Sequence, residues 1–146
     1  MRLVLDTDVV VAALRSDLGA SRRLLLAALD RKLVVLASVP LMLEYEAVLT
    51  RPEHMDKIGV TAGEINEVLD ALAAVAEPVA LRFLWRPQLR DPADEMVLET
   101  AVNGGADYLV TFNTRHFGPA ALPFGIRVSP PGAVWRKIRG ANHEKK

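Results

Sequence analysis

Apolar and polar positions along the chain repeat with two different periods. Short apolar runs at residues 2–5, 33–37, 79–81, 107–112 and 125–128 read as strands buried on both faces. Longer stretches between them carry apolar residues three and four apart, as Leu24, Leu25, Ala28 and Leu29 do within 20–30. The spacing predicts further helices over 9–14, from Ser38 to Arg51-Pro52, from Thr61 to about Ala76, and over 92–103. Local signals mark their ends. Ser38 is an N-cap with Pro40 in the first turn, and proline at 52 cannot continue a helix. Thr61-Ala62-Gly63-Glu64 is a capping box, Asp91-Pro92 a cap followed by a first helical proline, and Gly104-Gly105 a stop. Residues 53–60 read as a loop, as do 85–92 with their two prolines. Ser129-Pro130 opens a short last helix ending near Arg139-Gly140, with a frayed tail after it.

Strands alternating with helices are the signature of a parallel, doubly wound α/β domain. With 146 residues, 51% of them apolar, the chain is expected to form one domain over 1–139 with a flexible tail at 140–146. No repeat or linker interrupts it. There is no cysteine, which excludes disulfides, zinc–thiolate sites and thiol nucleophiles. The chain enters a strand at once, leaving no room for a signal peptide, and no apolar run reaches a membrane span. A cytoplasmic protein is the expectation. A net charge of zero argues against a strongly basic nucleic-acid coat.

The candidate chemistry lies at the ends of these elements. Asp6 closes the first strand, Asp94 falls in the first turn of a late helix, and Asn113 follows the fourth apolar run. In a parallel sheet, strand ends and helix starts meet along one edge. Carboxylates gathered there repel unless a cation sits among them, and hard divalent ions take such oxygen ligands. Each acid also has a bland role. Asp8 could cap the following helix, and Asp94 sits where an acid bonds back to a cap. Glu44 and Glu46 flank the apolar face of their helix on opposite sides, and spacing does not choose between them. Glu95 reads as solvent-facing or as a support for the site. His116 reads as a loop residue able to touch phosphate. Thr111 and Arg115, beside Asn113, are further candidates for substrate contact. Basic clusters at Arg22, Arg23, Arg31 and Lys32, at Arg82, Arg86 and Arg90, and over 135–139 read first as solvated faces. Phosphate-binding glycine loops and serine-hydrolase elbows are missing from the sequence.

Taken in order, these segments resemble the PIN-domain nucleases. The resemblance rests on Val4-Leu5-Asp6-Thr7-Asp8-Val9-Val10, on Leu43-Glu44-Tyr45-Glu46 leading to Arg51-Pro52, and on Arg90-Asp91-Pro92-Ala93-Asp94-Glu95. It continues through Asp107-Tyr108-Leu109-Val110-Thr111-Phe112-Asn113, Arg115-His116-Phe117 and Ile126-Arg127-Val128-Ser129-Pro130. Within the family the chain looks most like the toxin components of bacterial toxin–antitoxin pairs, akin to VapC.

The resemblance implies a three-layer α/β/α fold around a parallel sheet of about five strands. It implies an acidic pocket for one or two Mg²⁺ or Mn²⁺ ions. The implied metal and catalytic residues are Asp6, Glu44 and Asp94, with Asn113 and Asp8 assisting, and the resemblance selects Glu44 over Glu46. Asn113 stands where many members carry a fourth acid, and Asp8 where most carry asparagine. The implied reaction is endoribonuclease cleavage of RNA leaving a 5′-phosphate and a 3′-hydroxyl. The implied partners are an antitoxin protein and a second copy of the chain. Two other readings compete. Asp6-Thr7-Asp8-Val9 also resembles the first motif of haloacid-dehalogenase-type phosphatases, with Asp6 as nucleophile. A PIN-like module that binds RNA or protein without cutting is the third.

Overall fold

A computed structural model describes residues 1–16, 19–82 and 91–144, with side chains through residue 140. The expected loop at 85–92, apart from its last two residues, and the basic Arg86 and Arg90 lie outside the described residues. Five parallel strands form one sheet in the order β3-β2-β1-β4-β5. They are β1 (Arg2–Leu5), β2 (Val34–Ala37), β3 (Glu77–Pro78), β4 (Tyr108–Val110) and β5 (Arg127–Ser129). Between them run α1 (Thr7–Arg15), α2 (Ala20–Leu29), α3 (Val39–Leu49), α4 (Pro52–Ile58), α5 (Ala62–Val75), α6 (Pro92–Gly104) and α7 (Thr114–Ala121). The last helix is α8 (Pro131–Glu144).

Strand order explains the layers. From β1 the chain steps one way to β2 and β3, then returns past β1 to β4 and β5. Right-handed crossovers in opposite directions put their helices on opposite faces. α6 accordingly packs on β1, β2 and β4, with α7 beside it, while α2 and α5 pack together on the other face and α8 joins α2. This is the expected three-layer α/β/α sandwich. Its central strands are fully buried, Leu3, Val4, Leu109 and Val110 each 0% exposed, as a sheet covered on both faces requires.

Four expectations shift. Residues 53–60 are largely a helix, α4, with Pro52 at its start, Glu53 in its first turn, Lys57 in its last and Gly59 at φ +76° as its stop. These are ordinary helix signals, compressed into too few residues to show a hydrophobic period. The third strand is displaced to Glu77–Pro78, pairing with Leu36 and Ala37, while Val79 only donates its N–H to the Ala37 carbonyl at 2.9 Å. Proline is tolerated there because β3 is an edge strand. His116, read as a loop residue, lies in α7, whose Phe117 is wholly buried. The last helix runs on to Glu144 rather than stopping near Gly140.

One glycine is needed for packing. A Cβ at Gly104 would lie 2.9 Å from both Leu36 and Val79, so the end of α6 seats directly on the sheet. The next residue, Gly105 at φ +62°, then ends the helix.

Candidate active site

The point where strand order reverses lies between β1 and β4, and loops leaving both strands splay apart there. Asp6 leaves β1 and Thr111 leaves β4 at this point. Asp6 is the N-cap of α1. Its Oδ1 accepts the Thr7 N–H at 2.8 Å, and its Oδ2 accepts the Thr111 hydroxyl at 2.7 Å. The carboxylate is only 6% exposed. Burial raises its pKa above the ordinary value, against the opposing pull of those hydrogen bonds. Thr111 is 0% exposed, so it supports Asp6 and does not meet substrate as expected.

Asp8 is not the cap of α1, since Asp6 fills that role. Asp8 sits in the first turn with its carboxyl beside that of Asp6. Its Oδ2 accepts the Phe112 N–H at 3.1 Å and the Asn113 side-chain amide at 3.4 Å. Asn113 and Asp8 thus face each other, an amide holding an acid. Its Oδ1 is buried with no hydrogen-bond partner. Burial, and then the charge of Asp6, push the Asp8 pKa up to about 7. Two adjacent buried carboxylates, one with an unsatisfied oxygen, repel each other and favour a cation or a proton between them.

Two further acids face the same pocket from other elements. Tyr45 on α3 is fully buried, and its hydroxyl donates to the Leu5 carbonyl, one residue before Asp6. This bond pins α3 against the end of β1 and sets the neighbouring Glu44 at the pocket. Glu46 is exposed and does not line it. Asp94 is not a cap either. Asp91 caps α6 by accepting the Ala93 N–H at 2.9 Å, which leaves Asp94 facing the pocket and 3.5 Å from His116 Nδ1. Burial, then Asp6, then Asp91 raise the Asp94 pKa. A buried hydroxyl pair, Ser38 and Thr100 at 2.8 Å, ties the start of α3 to α6 and so fixes the two elements that carry Glu44 and Asp94.

Asp6, Asp8, Glu44, Asp94 and Asn113 thus line one cavity of about 580 Å³. Sequence reading missed three other members. Asp8, Val11, Ala12 and Arg15 line it from one face of α1, at spacings of three, four and seven. That helical face was a signal for Arg15. His54 reaches the pocket because α4 exists, and its Nδ1 is buried without a partner. Phe112 lines it while remaining 53% exposed. Arg115, an expected substrate contact, is exposed on α7 and is not among the lining residues. Glu95, read as solvent-facing or as a support for the site, is buried at 4% exposure, which removes the first alternative. Among the described residues, no three acids or histidines are close enough to hold a metal ion as they stand. The donors are nonetheless mainly carboxylate and amide oxygens, and the unpartnered Asp8 Oδ1 suits a hard cation.

Four acids thus line one cavity at the switch point of a parallel sheet. The sequence matches the PIN domain over residues 2–115, and the chain belongs to that family. Its fold is similar to a chain of VapBC2 from Rickettsia felis, in a crystal structure bound to a DNA fragment from their promoter. The TM-score is 0.61 at 16% identity, covering 88% of this chain and 98% of that one. No curated protein matches the chain.

Proposed function

We propose that the chain is a metal-dependent endoribonuclease, the toxin of a toxin–antitoxin pair. The observation that carries this reading is the convergence of Asp6, Asp8, Glu44 and Asp94, from three places in the sequence, on one cavity at the switch point. Asp6, Glu44 and Asp94 would hold Mg²⁺ or Mn²⁺, with Asp8 and Asn113 completing the oxygen shell. When bound, such an ion supplies Lewis-acid stabilisation of the scissile phosphate and lowers the pKa of water. Thr111 and the Thr7 N–H hold Asp6 in place. Arg15 at the rim neutralises an entering phosphodiester. The raised pKa values of Asp6 and Asp8 would make binding of such an ion weaker at low pH, where protons compete for the same oxygens.

Cleavage of a mixed single-stranded RNA with Mg²⁺, Mn²⁺ or EDTA, wild type beside Asp94→Ala, tests this. Metal-dependent cleavage lost in the variant is expected. Equal cleavage by the variant would place Asp94 outside the site, and no cleavage by folded wild type would overturn the nuclease reading.

The phosphatase alternative needs a phosphate-binding lysine, and among the described residues no lysine lines the pocket. The VapBC2 complex found for the neighbour supports an antitoxin partner here, and the family supports a homodimer. Among the described residues no helix is long and apolar enough to cross a membrane, in keeping with a cytoplasmic enzyme. Co-purification with the product of an adjacent gene, and the mass of the isolated chain in solution, test the two assemblies.

A further inference from the structure

A second cavity is larger than the acidic one. It measures about 900 Å³ and opens at the opposite edge of the sheet, where β1, β4 and β5 begin. α8 starts at the acidic edge and runs back along the sheet, so Arg136 and Lys137 arrive beside Arg127 at the start of β5. Lys137 Nζ donates to the Tyr108 hydroxyl at 2.8 Å, and Arg127 donates to the same oxygen at 3.2 Å. Both cations also lie over the Tyr108 ring, at 5.6 Å and 5.8 Å from its centre. No ion pair to a carboxylate is formed by Arg127, Arg136 or Lys137 among the described residues. Two like charges are therefore held on one phenolic oxygen with a third beside them, and their repulsion is only partly offset by Asp107, the acid among the cavity's described lining residues.

An anion entering this cavity relieves that repulsion. A phosphate, carrying more than one charge and three acceptor oxygens, suits a guanidinium pair and an ammonium better than a single carboxylate does. The cavity is far larger than one phosphate and falls in the range of small-molecule sites. One acid also lines it. Asp107 accepts the Arg2 backbone N–H through Oδ2, which leaves its other oxygen for a donor on the ligand. A polycarboxylate peptide offers Asp107 only backbone N–H donors, and its side-chain carboxylates are repelled by it. A sugar hydroxyl or a base amino group does satisfy it.

We propose that this basic cavity binds the phosphate of a nucleotide, free or at the end of an oligonucleotide, as a site separate from the acidic pocket. The proposal is independent of the nuclease reading.

Isothermal titration calorimetry of the full chain in EDTA tests it, with pyrophosphate, ADP, a 5′-phosphorylated RNA decamer and a hexaglutamate peptide as titrants. ADP is expected to bind more tightly than pyrophosphate. Arg136→Glu and Lys137→Glu, both at exposed positions, should each weaken ADP by about tenfold or more. Asp6→Asn should leave ADP binding unchanged. The decamer distinguishes the sources: tighter binding than ADP identifies an oligonucleotide end, weaker binding a free nucleotide. Four results would overturn the proposal. They are hexaglutamate binding tighter than ADP, pyrophosphate binding as tightly as ADP, no heat with any titrant, or ADP affinity unchanged in both charge-reversal variants that keep the wild-type circular dichroism. Loss of ADP binding in Asp6→Asn would also overturn it, by assigning the nucleotide to the acidic pocket.

Discussion

The two edges of the sheet carry opposite chemistry. At one, Asp6, Asp8, Glu44 and Asp94 crowd a cavity with Arg15 as the cation among its lining residues. At the other, Arg127, Arg136 and Lys137 share a cavity with Asp107 as its acid. The net charge of zero averages these into nothing. The edges also differ in how the charges are held. Asp6, Asp8 and Asp94 are buried or half-buried, and burial raises their pKa values. The bases are mostly exposed, and solvent screens them. Overall charge was therefore a poor guide to partners, whereas the segregation of charge along one axis is informative.

The largest effect expected at the acidic edge comes from Asp6→Asn. Asparagine keeps the cap on α1, so the fold should survive while RNA cleavage falls on the order of a thousandfold, the worth of several kcal/mol of metal catalysis. A gel assay of both proteins at saturating Mg²⁺ checks this, and wild-type rates in the variant would remove Asp6 from the site. Thr111→Val is next. It deletes the buried hydroxyl that holds Asp6 Oδ2 and should cost roughly 10- to 100-fold in metal affinity, as loss of ligand support does. Isothermal titration with Mn²⁺ measures it, and unchanged affinity would show that Thr111 merely fills space.

The pH dependence of stability sharpens the contrast further. Asp8 has a folded pKa of about 7, above its unfolded value. A carboxyl shifted upward stabilises the fold while protonated. Its contribution is full below the unfolded pKa and is lost as pH rises through about 7. Without metal, the melting temperature should thus fall between about pH 4 and pH 7, and Asp8→Asn should flatten that fall. Added Mn²⁺ should restore stability at the upper end. A metal-free melting temperature that climbs across this range would contradict the buried acid pair. The smallest effect is expected beside the basic edge. Arg2 and Glu77 form an ion pair with side chains 37% and 46% exposed. Glu77→Gln should cost less than about 1 kcal/mol by urea denaturation, and a larger loss would show that the exposed pair does more than such pairs usually do.

Most of the frame was legible in the sequence because its signals are local. Ser38, Thr61 with Glu64, Asp91 with Pro92, and Gly105 mark helix ends by their own chemistry, and each does so in the structure. The buried central strands declared themselves as unbroken apolar runs. What escaped depended on contacts distant in sequence. α4 has seven residues and none of them buried, so no period could reveal it, and His54 was lost with it. α7 was hidden by Gly118 and Pro119, although Phe117 packs in the core. Asp94 stood three residues beyond the Asp91 cap, where an acid can bond back to it, and sequence alone did not choose between that role and the pocket it lines. Thr111 looked like an exposed contact because a strand end does not tell which way its side chain points. The resemblance to a family chose Glu44 over Glu46. The structure supplies the reason, a buried Tyr45 that anchors the helix beside Asp6.

The capping role of Asp6 carries one more consequence. A single carboxylate both holds the first amide of α1 and stands at the centre of the acidic pocket. Any ligand that draws on Asp6 must tug on the Thr7 N–H as well. The deuterium-exchange rate of that amide, and of the turn that follows it, therefore becomes a gauge of pocket occupancy. It can be read in the intact protein with no substrate present and no reaction under way.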